Sequence, residues 1–142
     1  MVAYSFKAQF EAPIVHRTKL GTIRAQRRRH ARAGETLQLY MAMRTKYCRL
    51  VATAQCISND LVRLDFKAGV ILVDFQAENC VMNLCSDDKL NEFARGDGFA
   101  DFEAMAKFWS DEHDASTFEG RWIQWHASSV IPAPRRSEMA GA

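Results

Sequence analysis

The sequence predicts an α+β fold, a small mixed β-barrel with flanking helices. Three observations predict it. The chain has 142 residues, long enough for one compact core and too short for two ordinary ones. Short segments that alternate apolar and polar residues follow one another, separated by Gly, Pro and Asp-Gly turn signals, the pattern of a partly closed β-barrel. Segments with helical spacing come only late, which puts helices on the rim rather than between successive strands. Residues 1–128 are expected to form this domain, and residues 129–142 a flexible C-terminal tail.

In residues 3–10, Tyr4, Phe6, Ala8 and Phe10 share one face of a period-two strand, with Ser5, Lys7 and Gln9 on the other. Pro13 ends it, and residues 14–17 make a short helical turn. Gly21 permits a tight backbone before Thr22. Residues 25–33 are basic without apolar period and read as a surface loop. After the Gly34-Glu35 turn, residues 36–41 form a strand with Leu37, Leu39 and Met41 on one face. Residues 44–46 turn, and residues 47–57 and 61–66 read as two neighbouring strands. Gly69 marks a turn before the apolar strand 70–75, and residues 79–84 are another strand.

Ser86 followed by Asp87 and Asp88 is a helix start, because a hydroxyl cap and acidic first-turn residues satisfy the orphan N–H groups there. The short helix carries Leu90, Phe93 and Ala94 and stops near Gly96. After the Asp97-Gly98 turn, residues 101–113 form the main helix, with Phe102, Met105 and Trp109 on one face. Residues 118–125 close the domain as a strand. From Ser128 on, with Pro132, Pro134, Arg135 and Arg136, core formers are few.

Composition narrows the class. Apolar residues are 48% of the chain, as in globular proteins. No apolar run approaches the ~20 residues of a membrane span, and the N-terminus lacks the basic start and apolar block of a signal peptide. A soluble, cytoplasmic protein with no membrane partner is expected. The four cysteines, Cys48, Cys56, Cys80 and Cys85, form no CxxC pair and have no accompanying His pattern. No metal and no cofactor are therefore expected, and the thiols read as reduced. The spacing leaves open whether the chain is a monomer or a homodimer.

Charge is unevenly spread. Residues 1–50 carry 11 Lys/Arg against 2 Asp/Glu, and residues 51–142 carry 8 against 15. Two readings fit: a cationic face for a polyanion or a phosphate-bearing ligand, or arginines that pair with the acidic half after folding. The density peaks in residues 18–40, which hold Lys19, Thr22 and Arg24, and then Arg27, Arg28, Arg29, His30 and Arg32.

Lys19-x-x-Thr22-x-Arg24 is followed by His30-x-Arg32-x-Gly34-Glu35-x-Leu37-Gln38-Leu39-Tyr40, Met43-Arg44-Thr45 and Cys48-Arg49, then Phe93-Ala94-Arg95-x-Asp97-Gly98-Phe99-Ala100 and Phe108-Trp109. This series resembles the ASCH domain, in the branch often seen in phage and bacterial genomes, over about residues 3–125. The resemblance implies a PUA-like β-barrel with a cleft between barrel and helices, and a link to RNA or modified nucleosides. One small bacterial relative is an amidohydrolase for N(4)-acetylcytidine that uses a Lys, a Thr and a carboxylate. Its Lys-x-x-Thr-x-Arg segment matches Lys19, Thr22 and Arg24. Its Glu before the main helix is matched in position by Asp97, one methylene shorter. The wider family has Gly two residues before the Lys, where this chain has Arg17.

The implied chemistry has a physical form. Lys19 acts as a base only if burial or a cationic neighbour such as Arg24 lowers its pKa well below ~10.4. A neutral Lys19 takes the proton from Thr22 Oγ, which attacks an amide carbonyl. Asp97 holds the lysine or carries the proton to the leaving amine. Backbone N–H groups near Gly21 would cradle the oxyanion. The catalytic set is thus Lys19, Thr22 and Asp97. Arg24, Tyr40 and Phe99 are the expected substrate contacts, the two aromatics by stacking on a base, unless they are core. Arg27, Arg28, Arg29, His30 and Arg32 are the expected nucleic-acid contacts, since guanidinium groups grip phosphate oxygens in pairs. The bland alternatives are a solvated loop lysine, a loop-capping Thr22, an Asp-Gly turn and a neutral His30 among cations. Three functions follow: a deacylase of N(4)-acetylcytidine-type substrates, a non-catalytic module binding RNA or a modified nucleotide, and a single-strand ribonuclease.

Overall fold

The structure, a computed structural model, describes residues 1–134. Its strands are β1 (Val2–Phe6), β2 (Gly21–Arg24), β3 (Thr36–Met41), β4 (Arg49–Asp65), β5 (Val70–Phe75), β6 (Cys80–Leu84), β7 (Thr117–Trp125) and β8 (Ile131–Pro132), and its helices α1 (Glu11–Val15), α2 (Asp87–Gly96) and α3 (Phe102–His113). The α+β class holds. The expected small, partly closed β-barrel is not confirmed: the strands form one open eight-stranded sheet.

β4 organises the sheet. Its first half pairs with β3 and β8, and its second half with β5 and β7. Residues 47–57 and 61–66, expected as two strands, fall on this single 17-residue strand except for residues 47, 48 and 66. The register slips between Cys56 and Ser58, a bulge that bends the strand instead of ending it. Polar Asn59 stays in the ladder because Arg121 on β7 donates to its side chain and its carbonyl.

Closure fails between β1 and β2. β1 runs parallel to β3, and β2 pairs only with β7. The outward carbonyls of β1 are met by guanidinium groups: Arg24 donates to Ser5 O at 2.6 Å and Arg27 to Ala3 O at 3.4 Å. Two side chains thus stand where a backbone ladder would complete a barrel.

β2 went unseen in the sequence because its four residues look like a basic loop entrance. Glycines make it possible. A Cβ on Gly120 would lie 2.3 Å from Arg24 O, and one on Gly21 2.6 Å from the Trp122 ring. α1 begins ahead of Pro13, which sits in the first turn, where a missing N–H leaves nothing unpaired. α2 begins on its expected cap, Ser86, and α3 on Asp101, whose side chains accept from Lys89 N and Ala104 N.

The helices cover the β7 side of the sheet. Phe93 packs on Trp122, and Trp109 packs on Phe118. Phe10, after β1, meets Phe99 and Phe108, tying the N-terminal segment to α3. The loose tail expected from residue 129 does not hold for residues 129–134: Val130 is buried and β8 pairs with Ala52 and Thr53. Residues 135–142, with Arg135 and Arg136, lie outside the described residues. Among the described residues no helix is long and apolar enough to cross a membrane.

The two glycine environments give opposite signs. Gly120→Ala is expected to lose about 2–3 kcal/mol, since strand backbone must shift. Gly96→Ala, at the end of α2 with nothing near its Cβ direction, is expected to be neutral or to gain up to about 1 kcal/mol. Urea unfolding midpoints of the two variants check this.

Candidate functional site

α1, β2 and the α2–α3 turn bring Lys19, Thr22, Arg24 and Asp97 together. After α1 the chain reverses at Arg17 (φ 64), a left-handed conformation that favours glycine. The N–H groups of Thr18 and Lys19 then donate to Pro13 O. This sends the Lys19 side chain inward while Leu20 N donates to Gly96 O and Trp125 N to Leu20 O. The residue before β2 is thereby fixed to both α2 and β7.

Lys19 Nζ donates to Asp97 Oδ1 at 2.8 Å and also to the Asp97 carbonyl. The two residues are 78 positions apart in sequence and almost fully buried, at 2% and 4% exposure. The ammonium lies 4.6 Å from the centre of the Phe10 ring and 5.5 Å from that of Phe6. Gly98 (φ +93) makes the approach possible, because a Cβ there would lie 2.9 Å from Lys19 Cδ. The Asp97-Gly98 turn is therefore shaped around the lysine.

Burial pushes the Lys19 pKa down and the Asp97 pKa up. In each, the partner's charge and hydrogen bond oppose the shift, and for Lys19 the nearby Arg24 cation adds to it. Both residues are moved toward their neutral forms. That is what a base-and-acid pair requires, although buried structural pairs share it.

Arg24 lies over the same Phe6 ring as Lys19 and engages Thr22. Its Nε donates to Thr22 Oγ1 at 3.0 Å, and its guanidinium lies over the rings of Tyr4 and Phe6 at 5.3 and 4.8 Å. Burial lowers its pKa to about 10. Thr22 is buried on β2, opposite Ile123, rather than on a loop. Its hydroxyl accepts from Arg24, and it makes no hydrogen bond to Lys19. Of the four residues, Arg24 is the one that reaches solvent.

The other expected contacts separate. Phe99 is buried between Phe10 and Phe108 and is not open for base stacking. Its position after the Asp-Gly turn directs it into the core. Tyr40 is half-buried on the face of β3 opposite Leu39 and Met41. It therefore lies away from the Lys19 cluster. Arg27, Arg28, Arg29 and Arg32 are exposed in the loop between β2 and β3. Arg27 stacks over Tyr4 at 4.7 Å, and Arg29 pairs with Glu35. Among the described residues Arg28 and Arg32 have no carboxylate partner within ion-pair distance.

His30 points inward. Its Nδ1 meets the Tyr4 hydroxyl at 2.9 Å, and its Nε2 meets Ala25 O at 2.8 Å. Both ring nitrogens are used within the protein, so a phosphate contact is not open to it. Sequence reading also missed Phe6, Phe10 and Gly98, which wall Lys19. Alternation marked the two aromatics and the Asp-Gly pair marked the turn, but nothing local linked them. A separate groove of about 410 Å³ between α2 and α3, lined by Asp87, Leu90, Asp101, Phe102 and Glu103, holds none of the expected residues. No family model, no curated protein and no solved structure matches the chain.

Breaking the buried pair from one side leaves a charge in a dry site. Lys19→Met is expected to cost about 3–5 kcal/mol at neutral pH. The double variant Lys19→Met/Asp97→Leu should lose clearly less than the sum of its singles. The pH sign is defined: with its pKa raised, Asp97 binds its proton more tightly in the folded than in the unfolded chain. Lys19→Met should therefore be most stable in acid and lose stability as pH rises from about 4. Denaturation midpoints across pH check both statements.

Proposed function

We propose that the chain is an ASCH-type hydrolase that deacylates N(4)-acetylcytidine or a similarly acylated cytidine, with Lys19, Thr22 and Asp97 as its reaction centre and Arg24 as its ligand contact. The observation that carries this reading is the convergence of a buried Lys19–Asp97 pair with the Arg24–Thr22 pair. These are the residue types and spacings that the resemblance implies. Arg17, standing where the wider family has Gly, adopts the left-handed backbone that suits Gly. β4 shared by both halves of the sheet, with Arg24 and Arg27 bridging β1, supports reading the open sheet as a PUA-like pseudo-barrel.

In this reading the acyl carbonyl approaches past Arg24, the half-buried member of the cluster. Arg24 turns from Thr22 to the substrate. Thr22 Oγ gives its proton to neutral Lys19 and attacks the carbonyl carbon. Arg24, turned toward the substrate, donates to the tetrahedral oxyanion. Lys19 returns the proton to the departing N4 amine, leaving acyl-Thr22 and cytidine. Water then attacks the ester, and acetate leaves as Thr22 regains its proton. Asp97 keeps the Lys19 amine in place and balances its charge. The closed arrangement, with Lys19 at 2% and Thr22 at 4% exposure, represents the state before substrate, and the Asp97-Gly98 turn or Arg24 must give way on binding.

A second reading, a non-catalytic module for RNA or a modified nucleotide, is favoured by the exposed Arg28 and Arg32 and by the sealed lysine. One experiment separates the two. Acetate release from N(4)-acetylcytidine is measured for the wild type, Thr22→Ala and Thr22→Ser. The hydrolase reading expects Thr22→Ala to lose at least about a hundredfold in rate with its fold intact, and Thr22→Ser to keep part of it. Full activity in Thr22→Ala removes Thr22 as nucleophile. No release by the wild type, with RNA still bound, leaves the binding module.

A further inference from the structure

The arginine loop, residues 25–35, is fastened to the sheet through His30. Ala31 N donates to the Tyr4 hydroxyl at 3.1 Å, and the same hydroxyl lies 2.9 Å from His30 Nδ1. Ala25 O can only accept, so Nε2 carries the hydrogen, and in the neutral ring the bare Nδ1 accepts from the Tyr4 hydroxyl. His30 Nε2–H in turn donates to Ala25 O. This chain of bonds requires the neutral Nε2–H tautomer. Asn59 Nδ2 adds a bond to Ala31 O, and Arg27 lies over the Tyr4 ring.

A second proton on His30, at Nδ1, reverses this bond: the Tyr4 oxygen must then accept from both Nδ1–H and Ala31 N–H, and its own proton loses its acceptor. The charged groups that act on the imidazole are Arg27 of its own loop, Arg24 of β2 and Arg121 of β7, all positive. Tyr4 of β1 and Asn59 of β4 are neutral. Glu35, the carboxylate of the loop, is taken by Arg29 and by the N–H of Arg32. Burial and these cations hold the His30 pKa below its ordinary 6.5.

We propose that His30 is a pH-sensitive latch: neutral, it holds the arginine loop on β1 through Tyr4, and on protonation it releases the loop. The sign follows from linkage. The released loop binds the proton more readily than the latched one, so the latched state weakens as pH falls below about 6.5. Release frees Arg27 from Tyr4 and Ala3 and lets the loop rearrange around an anion. The device depends on the bonds between the loop, Tyr4 and Asn59 and not on Lys19, Thr22 or Asp97, so it stands or falls separately from the deacylase reading.

The test needs no ligand. The His30 ring and the backbone amides are followed by NMR from pH 8 to pH 5. The expected result is a His30 midpoint below 6.5 and, at that same midpoint, a fall of at least about tenfold in the protection factor of the Ala31 amide, with Val73 in β5 unchanged. Tyr4→Phe, which deletes the hydroxyl, should leave Ala31 unprotected at both ends of the range. A His30 midpoint at or above 6.5, or a His30 titration that leaves Ala31 protection unchanged, overturns the latch.

Discussion

The structure depends on a lysine and an aspartate held together out of water. Lys19 and Asp97 bind α1, β2 and the α2–α3 turn at one point, and the backbone around them fits that contact, through Leu20 to Gly96 and through the Cβ-free surface of Gly98. The energetics are nearly balanced. Removing each ion from water costs several kcal/mol. Their attraction at about 3 Å returns roughly 5–6 kcal/mol at an effective dielectric near 20. The two phenyl rings add about 0.5–2 kcal/mol for the ammonium. A pair so near break-even is a poor source of stability, and a good place for a proton to move. That is why the site reading is preferred over a merely structural one.

The arginines divide into three jobs that their sequence spacing does not separate. Arg24 is half-buried, caps the outer edge of β1 and engages Thr22. Arg27 and Arg29 shape their own loop, one over Tyr4 and one against Glu35. Arg28 and Arg32 are exposed and have no carboxylate partner among the described residues. The lopsided charge of the chain is therefore partly spent within the N-terminal half itself. Among the described residues four ion pairs involve cations of the N-terminal half, two of them reaching the C-terminal half, and Lys19–Asp97 is the buried one.

Much of this was legible in the sequence, for physical reasons that also mark where legibility ends. Period-two alternation found β3 and β1, although Ala8–Phe10 turn as a short 3-10 helix instead of extending the strand, a continuous apolar run marked β5, and Ser86 announced α2 because cap chemistry is local. β2 was hidden, since a four-residue strand owes its place to Gly21 and Gly120 on contacting strands. The single long β4 was read as two because a bulge looks like a break. At the site, the Lys-x-x-Thr-x-Arg spacing pointed to residues that do converge. The direction of Phe99 and His30 was not legible. One is turned by packing against Phe10 and Phe108, and the other by a hydroxyl 26 residues away.

The central claim is that burial outweighs pairing at Lys19, so that its amine is available as a base. Direct observation of the Lys19 Nζ by ¹⁵N NMR titration tests it. The account predicts an apparent pKa below the ordinary 10.5, and a further fall in Asp97→Asn, which removes the charge that opposes the shift. A Lys19 that titrates at or above 10.5 would be an ordinary ammonium locked in a salt bridge, and the proposed chemistry would have no base.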